Sequence, residues 1–237
     1  MFVWMKTGNR VTGPIGLLFI AFAACAADIH PHARTEGPAA PADFPAAYYH
    51  QQEALDKKIL RVDSSHSLVI IEVHRAGVLS RLGHDHVIAS RNVTGFASLT
   101  GGVADLYVPL DMLAVDEPGL RTEAGFDTQP SQQDIEGTRR NMLTRTLDAE
   151  HFPYALIHVA RADAGRPELK VTITLHGMTH SYEVPAQFEN VRGGIAVAGR
   201  MSFNQSDFGI TPLSILGGAI RVQDKLDLRF HILAQGN

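Results

Sequence analysis

The sequence predicts an all-β domain of about eight antiparallel strands interrupted by a single helix. Three observations carry that expectation: a repeated two-residue alternation of apolar and polar residues, hairpin-length connections, and one segment that changes to helical spacing. The alternation is clearest near the C-terminus. There Ile220, Val222, Leu226, Leu228, Phe230 and Ile232 share one parity, and Arg221, Gln223, Lys225, Asp227, Arg229 and His231 share the other. Successive side chains on a strand point to opposite faces, so this writing makes one apolar and one wet face. Only Asp224 breaks the apolar row. Strands of this kind must bury their apolar faces against one another. A sandwich and a closed barrel both achieve this, and a closed barrel can enclose a hole.

The alternation does not begin at the N-terminus. In Met1 to Ala24 the only charges are Lys6 and Arg10, and Ile15 to Ala24 is a short apolar core. That is the pattern of an export leader, and the core is too short for the roughly 20 apolar residues of a membrane span. Residues 1–25 are therefore read as a signal peptide. Phe22-Ala23-Ala24-Cys25 resembles a bacterial lipobox, in which the cysteine is acylated and becomes the mature N-terminus. Ordinary cleavage after Ala26 or Ala27 is the other reading. Residues 26–56, with Pro31, Pro38, Pro41 and Pro45 among alanines and charges, read as a flexible tether. Residues 57–237 are then one domain of ordinary size.

Within that domain, Ile59 to Val73 forms the first apolar stretch, with Leu68, Val69, Ile70, Ile71 and Val73. Val87 to Leu99 and Val103 to Leu110 follow, joined at Gly101-Gly102, a hairpin signal. Ser131 to Leu147 departs from the two-residue period. It places Ile135, Met142, Leu143 and Leu147 at helical spacing, with Ser131 and Asp134 suited to its start and Pro153 blocking continuation beyond Phe152. A helix inserted into such a chain commonly covers one end of a barrel. Tyr154 to Ala162 resumes the alternation, and Leu169, Val171, Ile173 and Leu175 form the next apolar row, turned at His176-Gly177-Met178. Tyr182 to Phe188, Ile195 to Phe203 and Ile220 to Ile232 complete the set. Short connections between successive strands imply antiparallel neighbours.

Composition excludes several functions. The formal charge is −4, becoming −6 when Lys6 and Arg10 leave with the leader, and no basic cluster stands out, which argues against nucleic acid. Cys25 is the single cysteine, so the domain has neither disulfides nor a thiolate metal site. No Gly-x-Ser-x-Gly or His-Glu-x-x-His occurs, and no catalytic residue is assigned. The densest polar cluster is Gly83-His84-Asp85-His86. Imidazoles two residues apart can ligate zinc or copper, making His84 and His86 candidate metal ligands; a polar turn at a barrel rim writes the same residues. Arg139, Arg140 and Arg145 suit an anionic headgroup or a membrane surface, or simply a solvated helix face.

Four blocks, in order, carry a resemblance to a known family. They are Val62-Asp63-Ser64-Ser65-His66-Ser67; Arg140-Asn141-Met142-Leu143 with Leu147-Asp148-Ala149-Glu150-His151-Phe152-Pro153; Leu175-His176-Gly177-Met178-Thr179-His180; and Asn204-Gln205-Ser206-Asp207-Phe208-Gly209-Ile210. Over roughly Leu60 to Ala234 the chain resembles the YceI-like family of polyisoprenoid-binding, lipocalin-like bacterial periplasmic proteins. The resemblance implies an eight-stranded antiparallel lipocalin-like barrel with one inserted α-helix and an apolar tunnel for an isoprenoid chain, such as a quinone tail. It implies carriage or storage with no reaction attached and no required cofactor.

The expected lining, taken from apolar-parity positions as tunnel or core, is Ile157, Val171, Ile173, Val184, Val197, Met201, Leu228 and Phe230. Expected partners are an isoprenoid or other lipid, and a membrane only through an N-terminal lipid on Cys25. A monomer or homodimer in the periplasm is expected, anchored to the outer membrane if the lipobox is used. The alternative from a different class is a metal- or haem-dependent redox protein using His84 and His86.

Overall fold

The computed structural model describes residues 40–161 and 167–236. The leader, Cys25 and the first part of the expected tether lie outside the described residues. Fourteen strand segments follow one another: β1 (Ile59–Val62), β2 (Leu68–Val73), β3 (Arg75–Ala76), β4 (His86–Ser90), β5 (Thr94–Ser98), β6 (Val103–Pro109), β7 (Ala114–Val115), β8 (Tyr154–Arg161), β9 (Glu168–Leu175), β10 (Met178–Val191), β11 (Gly194–Asn204), β12 (Ser214–Ile215), β13 (Ile220–Val222) and β14 (Lys225–Gln235).

Eight antiparallel staves form a closed wall. β1 and β2 are two halves of one bent stave, since both pair with β14: Val62 opposes Ala234 and Ile71 opposes Leu228. β4 and β5 make the second stave, pairing with β2 and β1 respectively. β6 and β7 make the third. β8, β9, β10, β11 and β14 continue as a simple meander. The pairing of β1 with β14 then closes the circuit. Closure removes the unpaired edges that an open sheet would expose.

The bend between β1 and β2 has a local cause. Asp63 caps a 3-10 turn over Ser64–His66 by accepting from the Ser65 N–H, and Ser64 Oγ donates to the Val93 carbonyl at 2.7 Å. The first family-like block is therefore a corner of the barrel.

The helix expected from Ser131 onward is present as α3 (Gln132–Asn141), continued by a π-helical turn over Met142–Thr146. Ser131 and Asp134 form a capping box, each side chain accepting from the other's backbone N–H. Ile135, Met142, Leu143 and Leu147 pack inward against Ile88, Leu110 and Leu113. Two further helices are α1 (Ala46–Ala54) and α2 (Pro118–Glu123).

Helix α1 corrects the expectation of a tether running to residue 56. Phe44 and Tyr49 are buried against the outer face of the wall, on Ile59, Phe96 and Tyr107. Tyr49 Oη donates to Asp105 at 2.7 Å, and Arg61 donates twice to Glu53 at 2.8 and 2.9 Å. Burial, then the bond to Asp105, pushes the Tyr49 phenol well above its ordinary range, so it stays a donor at any physiological pH.

A second correction concerns Ile220 to Ile232, expected as one strand. It is two. β13 leaves the wall and joins β12 and β3 in a small separate sheet. The chain returns to the wall at β14 after Gln223-Asp224, where Asp224 accepts from the Ser206 N–H at 2.8 Å and from Ser206 Oγ at 2.5 Å. The single polar interruption of the apolar row marks the break.

Candidate ligand-binding cavity

Because the staves alternate, one parity of each faces inward. Inward residues include Val69 and Ile71 of β2, Leu106 and Val108 of β6, and Leu228, Phe230 and Ile232 of β14. They enclose a cavity of about 300 Å³, whose walls are aliphatic and aromatic apart from Ser90, Ser98 and Arg161. That volume is at the lower end of the range typical of small-molecule sites.

The two ends differ. Residues at the β5–β6, β8–β9 and β10–β11 end include Leu99 and Phe188, which are exposed, and Arg161, whose guanidinium lies 5.2 Å from the centre of the Phe188 ring. The opposite end is closed by Leu110, Leu113, Leu147 and Phe203.

Three of the four family-like blocks meet at that closed end. The His176-Gly177 turn has positive φ at both residues, 51° and 75°, as a tight hairpin requires. The Phe152 ring packs so closely there that a Cβ on Gly177 would lie 2.8 Å from it. The fourth block forms a 3-10 turn over Gln205–Phe208, capped by reciprocal bonds between Asn204 and Asp207. Tyr182 Oη donates to Asp207 at 3.1 Å, and the backbone bond at Asn204 helps hold the Asp207 carboxyl below its ordinary range. Phe208 is fully buried, edge-on to Phe203 with ring centres 5.7 Å apart. These blocks seal one end of a container.

Seven of the eight expected lining residues lie on the cavity wall: Ile157, Val171, Ile173, Val197, Met201, Leu228 and Phe230. Val184 is on the same inward parity but is fully buried among Leu169, Val171 and Ala186, and is part of the packing core. Its cross-strand neighbours fill the space that others leave open. The sequence reading missed Val69, Ile71, Leu106 and Val108. The signal was there in the two-residue period, but these staves are covered outside as well, by α2 on Ile70 and Val87 and by α1 on Tyr107. Strands buried on both faces read as continuous apolar runs, in which parity is hidden.

His84 and His86 are neighbours in the structure. Their ring centres are 6.2 Å apart, and among the described residues no three His, Cys, Asp or Glu groups are placed to hold a metal ion. His86 Nδ1 lies 2.6 Å from Asp116, a buried carboxylate that also accepts from the Val87 N–H at 3.0 Å and from Arg121 at 2.6 Å. Burial opposes ionisation of Asp116. The bonds from His86, Val87 and Arg121 together outweigh it and hold the carboxyl below its ordinary range. The Arg121 guanidinium, itself buried, donates as well to the carbonyls of Asp85 and Thr128. The cluster fastens α2 and the following loop to β4.

The model of the YceI-like domain matches residues 60–234. The chain belongs to the YceI-like family. A solved polyisoprenoid binding domain from Saccharophagus degradans, implicated in plant cell wall breakdown, is 13% identical to it, with a TM-score of 0.54 over 76% of this chain and 99% of that one. BcnA of Burkholderia cenocepacia is 15% identical, with a TM-score of 0.49 over 73% of this chain and 98% of its own. A YceI protein of Campylobacter jejuni is 13% identical, with a TM-score of 0.39 over 57% and 72% of the two chains. No curated protein matches the chain significantly. No helix among the described residues is long and apolar enough to cross a membrane.

Proposed function

We propose that this YceI-like protein holds the hydrocarbon tail of an isoprenoid amphiphile, such as a quinone, inside its barrel for carriage or storage in the cell envelope. One observation carries the reading: the cavity is apolar along its walls and closed at one end. An apolar cavity of this kind does not hold water well, so hydrocarbon is its natural occupant. Each buried CH₂ contributes about 0.8 kcal/mol, and a long tail therefore needs no strong polar anchor. The polyisoprenoid binding named for the Saccharophagus degradans domain agrees with this occupant.

Export by the leader, and acylation of Cys25 as a lipoprotein anchor, belong to the same proposal and place the carrier in the periplasm, beside the outer membrane.

Organic-solvent extraction of protein purified without delipidation, followed by mass spectrometry, tests the reading. An isoprenoid at near-equimolar ratio is expected. Protein that carries none, and that binds none when a long-chain isoprenoid quinone is added, would overturn it.

A further inference from the structure

The small sheet of β3, β12 and β13 stands apart from the barrel wall and carries an unusual surface. Its connecting segments expose Val78 (91%), Leu82 (70%), Leu216 (69%) and Leu79 (42%), and β12 itself exposes Ile215 (46%). They are brought together by pairing: Ala76 opposes Arg221, Ile215 opposes Ile220, and the Leu79 N–H donates to the Ala219 carbonyl at 2.8 Å. Gly77 makes the close approach possible, since a Cβ there would lie 2.4 Å from the Ala219 oxygen. Single exposed aliphatics are ordinary, but five on one small sheet and its connections form a patch of the kind that marks an interaction site.

Charge identifies the occupant. The two segments that build the patch, Gly77 to Gly83 and Thr211 to Val222, contain Arg81 and Arg221 and not one carboxylate. Both arginines are exposed, and neither has an ion-pair partner among the described residues. The nearest acids in sequence are engaged elsewhere: Asp85 accepts from the Arg75 N–H, and Asp224 from Ser206. Exposed aliphatic side chains with two unpaired guanidinium groups in the same two segments match the acyl boundary and headgroup layer of an anionic bilayer.

Leu216 adds a second, independent mark. It holds φ at +51°, a left-handed conformation that disfavours a bulky side chain, while remaining largely exposed. A residue that is strained and buries little is not placed there for the stability of the fold.

We infer that this β3–β12–β13 tip is a peripheral docking site for an anionic lipid surface. The tip would seat the side chains of Val78, Leu82 and Leu216 at the acyl boundary, with Arg81 and Arg221 among the headgroups. It does not depend on what fills the barrel.

Vesicle co-sedimentation of the full chain in a Cys25→Ala background, which removes any acyl anchor, tests the inference. The same N-terminus in every variant makes the tip the only difference. Binding is expected to vesicles of phosphatidylcholine with about 30% phosphatidylglycerol, and the Arg81→Gln/Arg221→Gln pair should weaken it at least tenfold or so. Leu216→Asn is the discriminating change. Asparagine accepts the left-handed conformation, so thermal stability should hold or rise while vesicle binding falls about fivefold.

Binding that none of these variants weakens would overturn the inference. So would absence of binding, or a wild-type dimer that Leu82→Asp converts to a monomer, since the patch would then be an interface between copies. Isoprenoid content after extraction, unchanged in the tip variants, separates this outcome from the fate of the barrel proposal.

Discussion

Asp116 shows how a residue reads differently once its partners are in place. Its carboxylate is buried between Arg121 and His86, and the sequence distance to His86 is long enough that neither the pair nor its geometry could be read from spacing. Asp116→Asn would leave the buried Arg121 charge uncompensated, which costs about 3–5 kcal/mol. Urea denaturation at pH 7 measures that loss. The pH dependence has a definite sign. The folded-state pKa of Asp116 is depressed, so its contribution is present above the ordinary aspartate value of about 3.9 and is lost as pH falls through the lower folded value. The gap between wild type and Asp116→Asn should therefore narrow below about pH 4. A gap constant down to pH 2 would contradict the assignment. The His84-Asp85-His86 run suggests a ligand set because imidazoles two residues apart can share a metal ion. In the structure His86 is bonded to Asp116, thirty residues on, a contact that spacing does not show.

At the level of elements, the legible parts were those whose pattern is local. The meander from β8 to β11 alternates cleanly, because its outer face is largely open to solvent and only its inner face is apolar. The Ser131–Asp134 capping box likewise announced α3. Helix α1 was missed because its stabilising contacts are not its own. Ala46 to Ala54 is weakly amphipathic in sequence, and a nine-residue helix is not stable alone. It is held by burial of Phe44 and Tyr49 on a surface made by β1, β5 and β6. Prolines before residue 46 suggest an extended chain, yet Pro45 sits at the N-cap, outside the first turn, where its missing N–H breaks no helical hydrogen bond.

Removing the α1 anchor tests this element directly. Tyr49→Ala should cost about 3–5 kcal/mol, the usual loss for a large buried aromatic. For a domain of this size that lowers Tm by roughly 2–4 °C for each kcal/mol. A change below about 1 kcal/mol would return the segment to the status of a tether. Tyr49→Phe isolates the hydrogen bond to Asp105 and should lose about 1–2 kcal/mol.

For the whole molecule, the closed wall was foreseen only in part from alternation, which a sandwich would also write. The order of the staves and the blocks that seal one end distinguish the two. What alternation could not convey is which inward side chains leave space. Val184 and Val197 have the same parity and residue type, yet one is packed solid and the other borders the cavity. The difference depends on the summed volume of neighbours from several staves, among them Gly199, over which the Phe230 ring closes. Enlarging residues beside the space should therefore act on binding rather than on folding. Ile157→Phe and Val197→Phe place added carbons in the cavity, and their stability should stay within about 1.5 kcal/mol of wild type.

The most direct measurement is native mass spectrometry of delipidated protein titrated with a long-chain isoprenoid quinone, wild type beside the Ile157→Phe/Val197→Phe double variant. The account predicts a one-to-one complex for the wild type and at least a tenfold weaker one for the variant, with both proteins folded. Equal binding by the two, at any affinity, would place the ligand outside the barrel and contradict the account.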